Sequence, residues 1–233
     1  MTPAPPIPAR LGRLSELAHN LWWSWNPEAR ELFRRLDTPL WRLSHHNPIR
    51  LLHEISPERL SQAAADPEVG RLYDQVVAAL DMALAGKPSW CSQAYPELGE
   101  RLVGFFSAEY GVHQSLPFYA GGLGVLAGDI AKEASDLGIP MVGVGFMYPQ
   151  GYFHQHVSPE GWQKESYERL NWTNAPIEPA ITPTGETCII PVPLGNRSVL
   201  VQVWRVRLGR VKLYLLDTDL EENAPWDREL SAR

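Results

Sequence analysis

The chain has 233 residues, is 44% hydrophobic and 21% charged, and carries a formal net charge of −6. This is the balance of a globular protein of one or two domains, and the acidic excess argues against a non-specific nucleic-acid binder. Cys91 and Cys188 are too few for a disulfide framework and lack metal-ligand spacing, which points to a reducing cytoplasm, and no apolar run reaches the length of a membrane span.

Residues 1–10 are Pro-rich without a hydrophobic core and read as a disordered leader, not a secretory signal. Residues 11–88 read as a helical domain. Leu11, Leu14, Leu17, Ala18 and Leu21 recur at helical spacing. Asn26-Pro27-Glu28 is a helix start, repeated as Ser56-Pro57-Glu58 and Asp66-Pro67-Glu68. Pro39 is expected to end the helix that carries Leu32, Phe33 and Leu36. Leu72, Val76, Val77, Leu80 and Leu84 form a last apolar stripe, ending near Gly86-Lys87-Pro88. Of the nine tryptophans, Trp22, Trp23, Trp25 and Trp41 cluster in this region. Stacking on sugars is one use of such a cluster, and core packing is the commoner one.

Residues 87–99 read as a linker, and the second region, residues 89–233, has a different texture. Leu102 to Ser107 predicts a short buried strand and Ile139 to Phe146 a second one. The helix between them is expected to bury Leu126, Ile130, Ala134 and Leu137 on one face. Strand, helix and strand make a βαβ unit with parallel strands. Further strands are expected at Cys188–Val192, Val199–Val206 and Val211–Asp217, the last two as a hairpin around Leu208-Gly209-Arg210. The fold class is therefore α/β: a helical region followed by a Rossmann-like sheet with one strand–helix–strand unit, which looks incomplete.

The most informative segment is Phe118-Tyr119-Ala120-Gly121-Gly122-Leu123-Gly124-Val125-Leu126-Ala127-Gly128-Asp129. Its glycines permit a tight turn and close approach of a ligand to the main chain. The helix that follows offers unpaired N–H groups and a favourable dipole to an anion. Gly121, Gly122, Leu123 and Gly124 are thus candidates for a phosphate or sugar-phosphate cradle at the C-terminal ends of the strands. The spacing is neither that of the dinucleotide fingerprint nor that of the P-loop.

In order along the chain, several blocks resemble α-glucan (glycogen or maltodextrin) phosphorylases of the shorter bacterial and archaeal type. They are Leu17-Ala18-His19-Asn20-Leu21-Trp22-Trp23-Ser24-Trp25, Phe106-Ser107-Ala108-Glu109-Tyr110-Gly111, the glycine segment, Ser135-Asp136-Leu137-Gly138-Ile139-Pro140, Gly143-Val144-Gly145-Phe146-Met147-Tyr148, Gly151-Tyr152-Phe153-His154-Gln155 and Gly161-Trp162-Gln163. The resemblance implies the N-terminal portion of a two-domain GT-B glycosyltransferase fold. It implies a transferase that cleaves terminal α-1,4 glucosidic bonds with inorganic phosphate and releases glucose 1-phosphate in glycogen degradation. It further implies a cytoplasmic homo-oligomer, with no nucleic-acid or membrane partner. The cofactor would be pyridoxal phosphate, held by a lysine in a C-terminal half. The N–H groups of Gly122 and Leu123 would face sugar and phosphate, Gly121 and Gly124 would shape the turn, and Gly122 would lie near the cofactor's phosphate.

Longer family members carry Asn and Arg where this chain has Ala120 and Val125, a difference the shorter branch shares. Lys87, Lys132, Lys164 and Lys212 match no cofactor motif, so the expectation is a fragment that is inactive alone and carries no catalytic residue. Two other functions compete with this one: a glycogen-synthase-like glycosyltransferase and a non-catalytic glucan-binding or assembly module. Glu109 reads as an acid or base, or as a structural carboxylate. His154 and His156 share a strand face but lack a third metal ligand. Tyr148 and Tyr152 are candidates for lining a sugar site. His45-His46 reads as a helix end and Arg34-Arg35 as a solvated face.

Overall fold

The computed structural model describes residues 5–85, 88–116, 121–151, 153–167 and 169–231. A 3-10 turn at Ala9–Leu11 leads into α1 (Leu14–His19) and a second 3-10 turn at Leu21–Ser24. Five helices follow: α2 (Pro27–Leu36), α3 (Thr38–Leu43), α4 (Pro48–Glu54), α5 (Pro57–Ala65) and α6 (Pro67–Ala85). Their starts share one chemistry. A short polar side chain accepts a first-turn N–H, and proline sits in that turn, where its missing N–H is no loss. Asn26 accepts from Ala29 at 2.9 Å, Asn47 from Ile49 at 3.0 Å, Ser56 from Arg59 at 3.2 Å and Asp66 from Glu68 at 2.8 Å.

Pro39 does not end α2. Asp37 turns extended after Leu36 and caps a new helix through Leu40 N–H at 2.9 Å, which places Pro39 in the first turn of α3. His45 and His46, at φ 53° and 59°, close α3. Their N–H groups return to the carbonyls of Arg42 and Trp41 at 3.1 and 2.9 Å, a left-handed helix ending. The stretch read as a leader is held from Ile7 onward. Ile7 packs on the core and Arg10 pairs with Asp74 of α6 at 2.6 Å, so one aliphatic and one charged residue dock it without a hydrophobic run. Residues 1–4 lie outside the described residues, as do Gly86 and Lys87.

The expected linker contains α7 (Trp90–Ala94), started by reciprocal hydrogen bonds between Ser89 and Ser92, and a 3-10 turn at Pro96–Glu100. Next come β1 (Val103–Phe106), α8 (Gly122–Leu137) and β2 (Met141–Phe146). The remaining strands are β3 (His154–Val157), β4 (Gln163–Ser166), β5 (Ile177–Pro179), β6 (Ile189–Leu194), β7 (Arg197–Leu208) and β8 (Val211–Asp217), before a short α9 (Pro225–Arg228).

The main sheet runs β1-β2-β8-β7-β5, with β6 also paired to β7, while β3 and β4 form a separate hairpin. β1 and β2 are parallel, as the βαβ reading requires. The sheet is broader than that single unit. β8 adds a third parallel strand beside β2, from Val142↔Lys212 to Phe146↔Leu216. Local pattern does not report a neighbour so distant in sequence. The β7–β8 hairpin forms around Gly209 at φ +60°. β1 is not a buried strand: Val103 is 40% and Phe106 75% exposed. It is the sheet's edge and has β2 as its one partner among the described residues.

Val206, Leu208, Val211, Leu213 and Leu215 point from β7 and β8 into one continuous core with Leu14, Leu17, Trp23, Phe33 and Leu36 of the helical layer. Two polar contacts lock this seam. Asn20 Oδ1 accepts the N–H of Gly209 at 2.8 Å and of Trp22 at 3.1 Å, and its Nδ2 donates to the Gly209 carbonyl at 3.2 Å. Trp25 Nε1 donates to Asp136 of α8 at 3.0 Å. No described helix is long and apolar enough to cross a membrane.

Asn20 is buried, so its loss strands backbone groups at the hairpin tip. Asn20→Ala is expected to lower the unfolding free energy by about 1–3 kcal/mol, read by urea denaturation. A variant as stable as the parent would remove Asn20 from this role.

Candidate functional site

α8 begins on a turn that only glycine adopts comfortably. Gly121, its N-cap, has φ 85° and ψ −166°, a region nearly closed to residues with a Cβ. No side chain caps the helix. The N–H groups of Gly122, Leu123 and Gly124 belong to the first turn and have no carbonyl within the helix to bond. A Cβ at Gly121 or Gly122 would meet nothing within 4 Å, and Gly121, Gly122 and Leu123 are exposed. Gly124 is buried, and its carbonyl accepts Gly111 N–H at 2.7 Å. All four candidate residues thus form one turn: three on its open side and Gly124 at its anchor. Phe118, Tyr119 and Ala120 lie outside the described residues.

The anchor depends on close approach. A Cβ at Gly128 would fall 2.4 Å from the Gly111 carbonyl oxygen, and one at Gly111 would fall 3.1 Å from the Gly124 backbone. α8 is therefore buried along Gly124, Ala127, Gly128, Ala131, Ala134 and Ser135. This overturns part of the expected apolar face. Ala134 is inside, but Leu126 and Ile130 are 60% and 38% exposed, because the contact selects small residues and turns the larger ones outward.

The loop that follows β1 brings further candidates to the turn. Glu109 is buried between Ala108 and Tyr110, and its carbonyl accepts from Ser107 Oγ at 2.9 Å. Tyr148, after β2, donates its hydroxyl to the Ala108 carbonyl at 2.9 Å and so fastens the loop to the β2 end. Tyr110 donates to the Phe105 carbonyl at 2.5 Å, and its ring covers Gly143 and Gly145. Tyr152 lies outside the described residues.

The other candidates stand elsewhere. On the β3–β4 hairpin, His156 lies 2.9 Å from Ser166 Oγ, and His154 is in register with Ser166. Among the described residues no group of three His, Cys, Asp or Glu side chains could hold a metal. Arg34 and Arg35 both pair with Glu31, at 2.5 and 2.8 Å, and these guanidiniums hold its carboxyl down at about 2. Trp22, Trp23 and Trp41 are core, as packing statistics favour.

His113 carries a signal the sequence reading missed. It sits in the same loop, edge-on to Trp23 at 4.8 Å, and its Nδ1 accepts Ser115 N–H at 3.1 Å with Ser115 Oγ at 2.9 Å. Burial lowers its pKa from 6.5 to about 4, helped by the charges of Lys132, His46 and Arg30. The folded state therefore binds this proton less readily than the unfolded chain. Its stabilising neutral form is fully present above about pH 6.5, and stability falls as pH drops from there toward 4. The shift corresponds to about 3 kcal/mol as an upper bound. Urea unfolding of parent and His113→Gln at pH 7.5 and 4.5 should show a steeper acid loss in the parent by about 2 kcal/mol. Equal slopes would mean that His113 titrates normally.

A family described as "Protein of unknown function (DUF3417)" matches residues 7–116, the helical layer through the loop after β1. Over 224 residues the chain is 40% identical to the maltodextrin phosphorylase of Thermococcus litoralis, covering 96% of this chain and 27% of that protein. It is 42% identical over 220 residues to the glycogen phosphorylase of Aquifex aeolicus, covering 94% of this chain and 31% of that one. With the glycogen phosphorylase of Mycobacterium tuberculosis it shares 39% over 227 residues, 93% of this chain and 26% of that one. The chain is a relative of the maltodextrin and glycogen phosphorylases, matched along nearly all of its own length and about a quarter to a third of theirs.

Proposed function

We propose that this chain forms the phosphate-facing wall of an α-glucan phosphorylase. The complete protein would phosphorolyse terminal α-1,4 glucosidic bonds to glucose 1-phosphate in glycogen or maltodextrin breakdown. One observation carries the reading: an uncapped glycine turn, open to solvent and fixed from behind by Gly111 and Gly128, on a chain 39–42% identical to proteins named phosphorylases.

The chemistry follows from the donors. The first-turn N–H groups of Gly122 and Leu123, with the helix dipole behind them, favour an anion at the turn. Because the anchor at Gly124 fixes them before a ligand arrives, little reorganisation is needed as charge develops on phosphate or sugar oxygens. From Leu102 to Ala131 the chain contains no lysine or arginine, so this wall contributes oriented dipoles and no formal positive charge. The absence of a Cβ at Gly121 and Gly122 leaves the space a sugar phosphate would fill.

Pyridoxal phosphate would supply phosphate-group proton transfer in the proposed enzyme. The described residues do not fit its covalent attachment. Lys132 Nζ lies 6.0 Å from the Trp25 ring, against the helical layer; Lys164 is on β4 and Lys212 on β8. The attaching lysine would belong to other parts of the complete protein. The proposed protein has a helical domain over 11–88, part of a GT-B catalytic domain over 89–233, glucan and phosphate as substrates, and a cytoplasmic homo-oligomeric form.

The test uses the complete protein and glucose 1-phosphate release from maltodextrin. Gly122→Ala meets no atom within 4 Å and is expected to fold as the parent does, while the phosphate KM rises about 10-fold, near 1.4 kcal/mol of lost binding. Gly128→Ala, forced against the Gly111 carbonyl, is expected to lose about 1–3 kcal/mol of stability instead. An unchanged phosphate KM in Gly122→Ala would remove the turn from the site. A parent that releases no glucose 1-phosphate would end the reading.

A further inference from the structure

The 3-10 turn at Leu21–Ser24, with its caps Asn20 and Trp25, reaches three parts of the sheet layer. Asn20 holds the β7–β8 hairpin at Gly209, and Trp25 holds α8 at Asp136, in the last turn of that helix. Trp23, between them, is 1% exposed and meets the rings of Phe33, Trp41 and His113 at 5.8, 5.9 and 4.8 Å. Phe33 and Trp41 belong to the helical layer and fix the indole. His113 belongs to the loop after β1. The Trp23–His113 contact is one of ring shape, edge-on at 70°. No hydrogen bond enters it, because Trp23 Nε1 has no partner among the described residues.

His113 stands two residues after Gly111, whose N–H anchors the glycine turn at the Gly124 carbonyl. The loop between has little slack. The His113 carbonyl accepts Leu116 N–H at 3.0 Å, its Nδ1 accepts Ser115 N–H at 3.1 Å, and Val112 and Leu116 are buried. Gln114 Nε2 donates to the His45 carbonyl, which fastens the same loop to the end of α3. The imidazole itself is neutral at pH 7. Its burial, with Lys132 of α8, His46 after α3 and Arg30 of α2 nearby, holds its pKa down at about 4. It therefore packs on Trp23 as an uncharged aromatic body. One short element of the helical layer thus grips α8 twice, directly through Trp25 near its end and through the loop at its start.

We infer that His113 is a positioning residue for the glycine turn: seated on Trp23, it transmits the placement of the helical layer through Gly111 to the first-turn N–H groups of α8. It acts through the turn and touches no substrate. The mechanical part stands on the contacts above, and its kinetic consequence rests on the phosphorolysis proposed at the turn. Donors of this kind need to be held within about 0.5 Å of their working geometry by the residues behind them. Coupling of this kind travels through packed side chains and hydrogen bonds, and here each link is a contact between rigid neighbours. A local role is the competing one, in which Nδ1 shapes the loop through Ser115 and the ring is incidental.

The test uses the complete protein with three replacements of His113, read by hydrogen exchange with mass spectrometry and by glucose 1-phosphate release. His113→Ala removes both ring and acceptor. His113→Phe keeps a ring for Trp23 and loses the acceptor, whereas His113→Asn keeps an acceptor near the Nδ1 position and loses the ring. In His113→Ala the amides of residues 125–131 are expected to exchange about 10-fold faster than in the parent. Its phosphate KM should rise about 5-fold while the glucan KM stays at the parent value. A merely structural histidine would lower the melting temperature and leave the phosphate KM unchanged. His113→Phe should return exchange and phosphate KM to within about 2-fold of the parent, and His113→Asn should not. If His113→Ala does not fold, the comparison of Phe with Asn carries the same decision. A parent that releases no glucose 1-phosphate ends the proposed phosphorolysis, and exchange at 125–131 then decides the positioning role by itself. Faster exchange confined to residues 107–116, a parental phosphate KM in an active His113→Ala protein, rescue by Asn, or failure of Phe to rescue would each overturn the inference.

Discussion

The closeness of α8 to the loop after β1 is the constraint from which the rest of the site follows. Gly111 hydrogen-bonds the Gly124 carbonyl at 2.7 Å, and Gly128 has no room for a Cβ beneath the Gly111 carbonyl. Any larger residue at these positions pushes the helix away from the loop. The helix start would then lose the anchor that fixes its free N–H groups at the C-terminal ends of β1 and β2. The open turn and the crowded contact behind it are two sides of one arrangement. Glycine serves steric exclusion at Gly128, an unusual backbone angle at Gly121 and open space at Gly122.

That constraint also decides which surfaces stay uncovered. A helix that packs through glycine and alanine turns Leu123, Val125, Leu126 and Ile130 outward. β1, beside it, exposes Val103 and Phe106 along an edge that has no second partner among the described residues. Sheets with parallel strands are ordinarily covered on both faces. The far edge is built differently. β6 carries Pro191 and Pro193, which lack the N–H groups a further strand would need, so strand addition is blocked there. β1 has no such guard. The sheet is therefore asymmetric, closed to new strands at β6 and open at β1.

Much of this was legible in the sequence, and the failures have identifiable physics. Helix starts at Asn26, Ser56 and Asp66 were readable because capping is local: donor and acceptor lie within three residues. The same locality made the β7–β8 hairpin readable. Pro39 misled because proline is compatible with the first turn of one helix as well as with the end of another, and only the extended backbone at Asp37 decides. Leu126 and Ile130 misled because periodicity finds a stripe of large apolar residues, whereas this helix packs through its small ones. The pairing of β8 with β2, the Asn20–Gly209 bridge and the burial of His113 against Trp23 are long-range facts. The glycine turn was legible as a turn, while the reason for its rigidity, a contact with Gly111, was not.

The proposed role of the glycine turn asks the molecule to hold an anion without formal positive charge. A net charge of −6 repels a phosphate at long range. Aligned first-turn N–H groups act over a few ångströms and do not titrate. Any pH response of phosphate binding at such a turn would therefore come from the phosphate and from other groups. Fixed dipoles suit a site that must present the same geometry at every turnover.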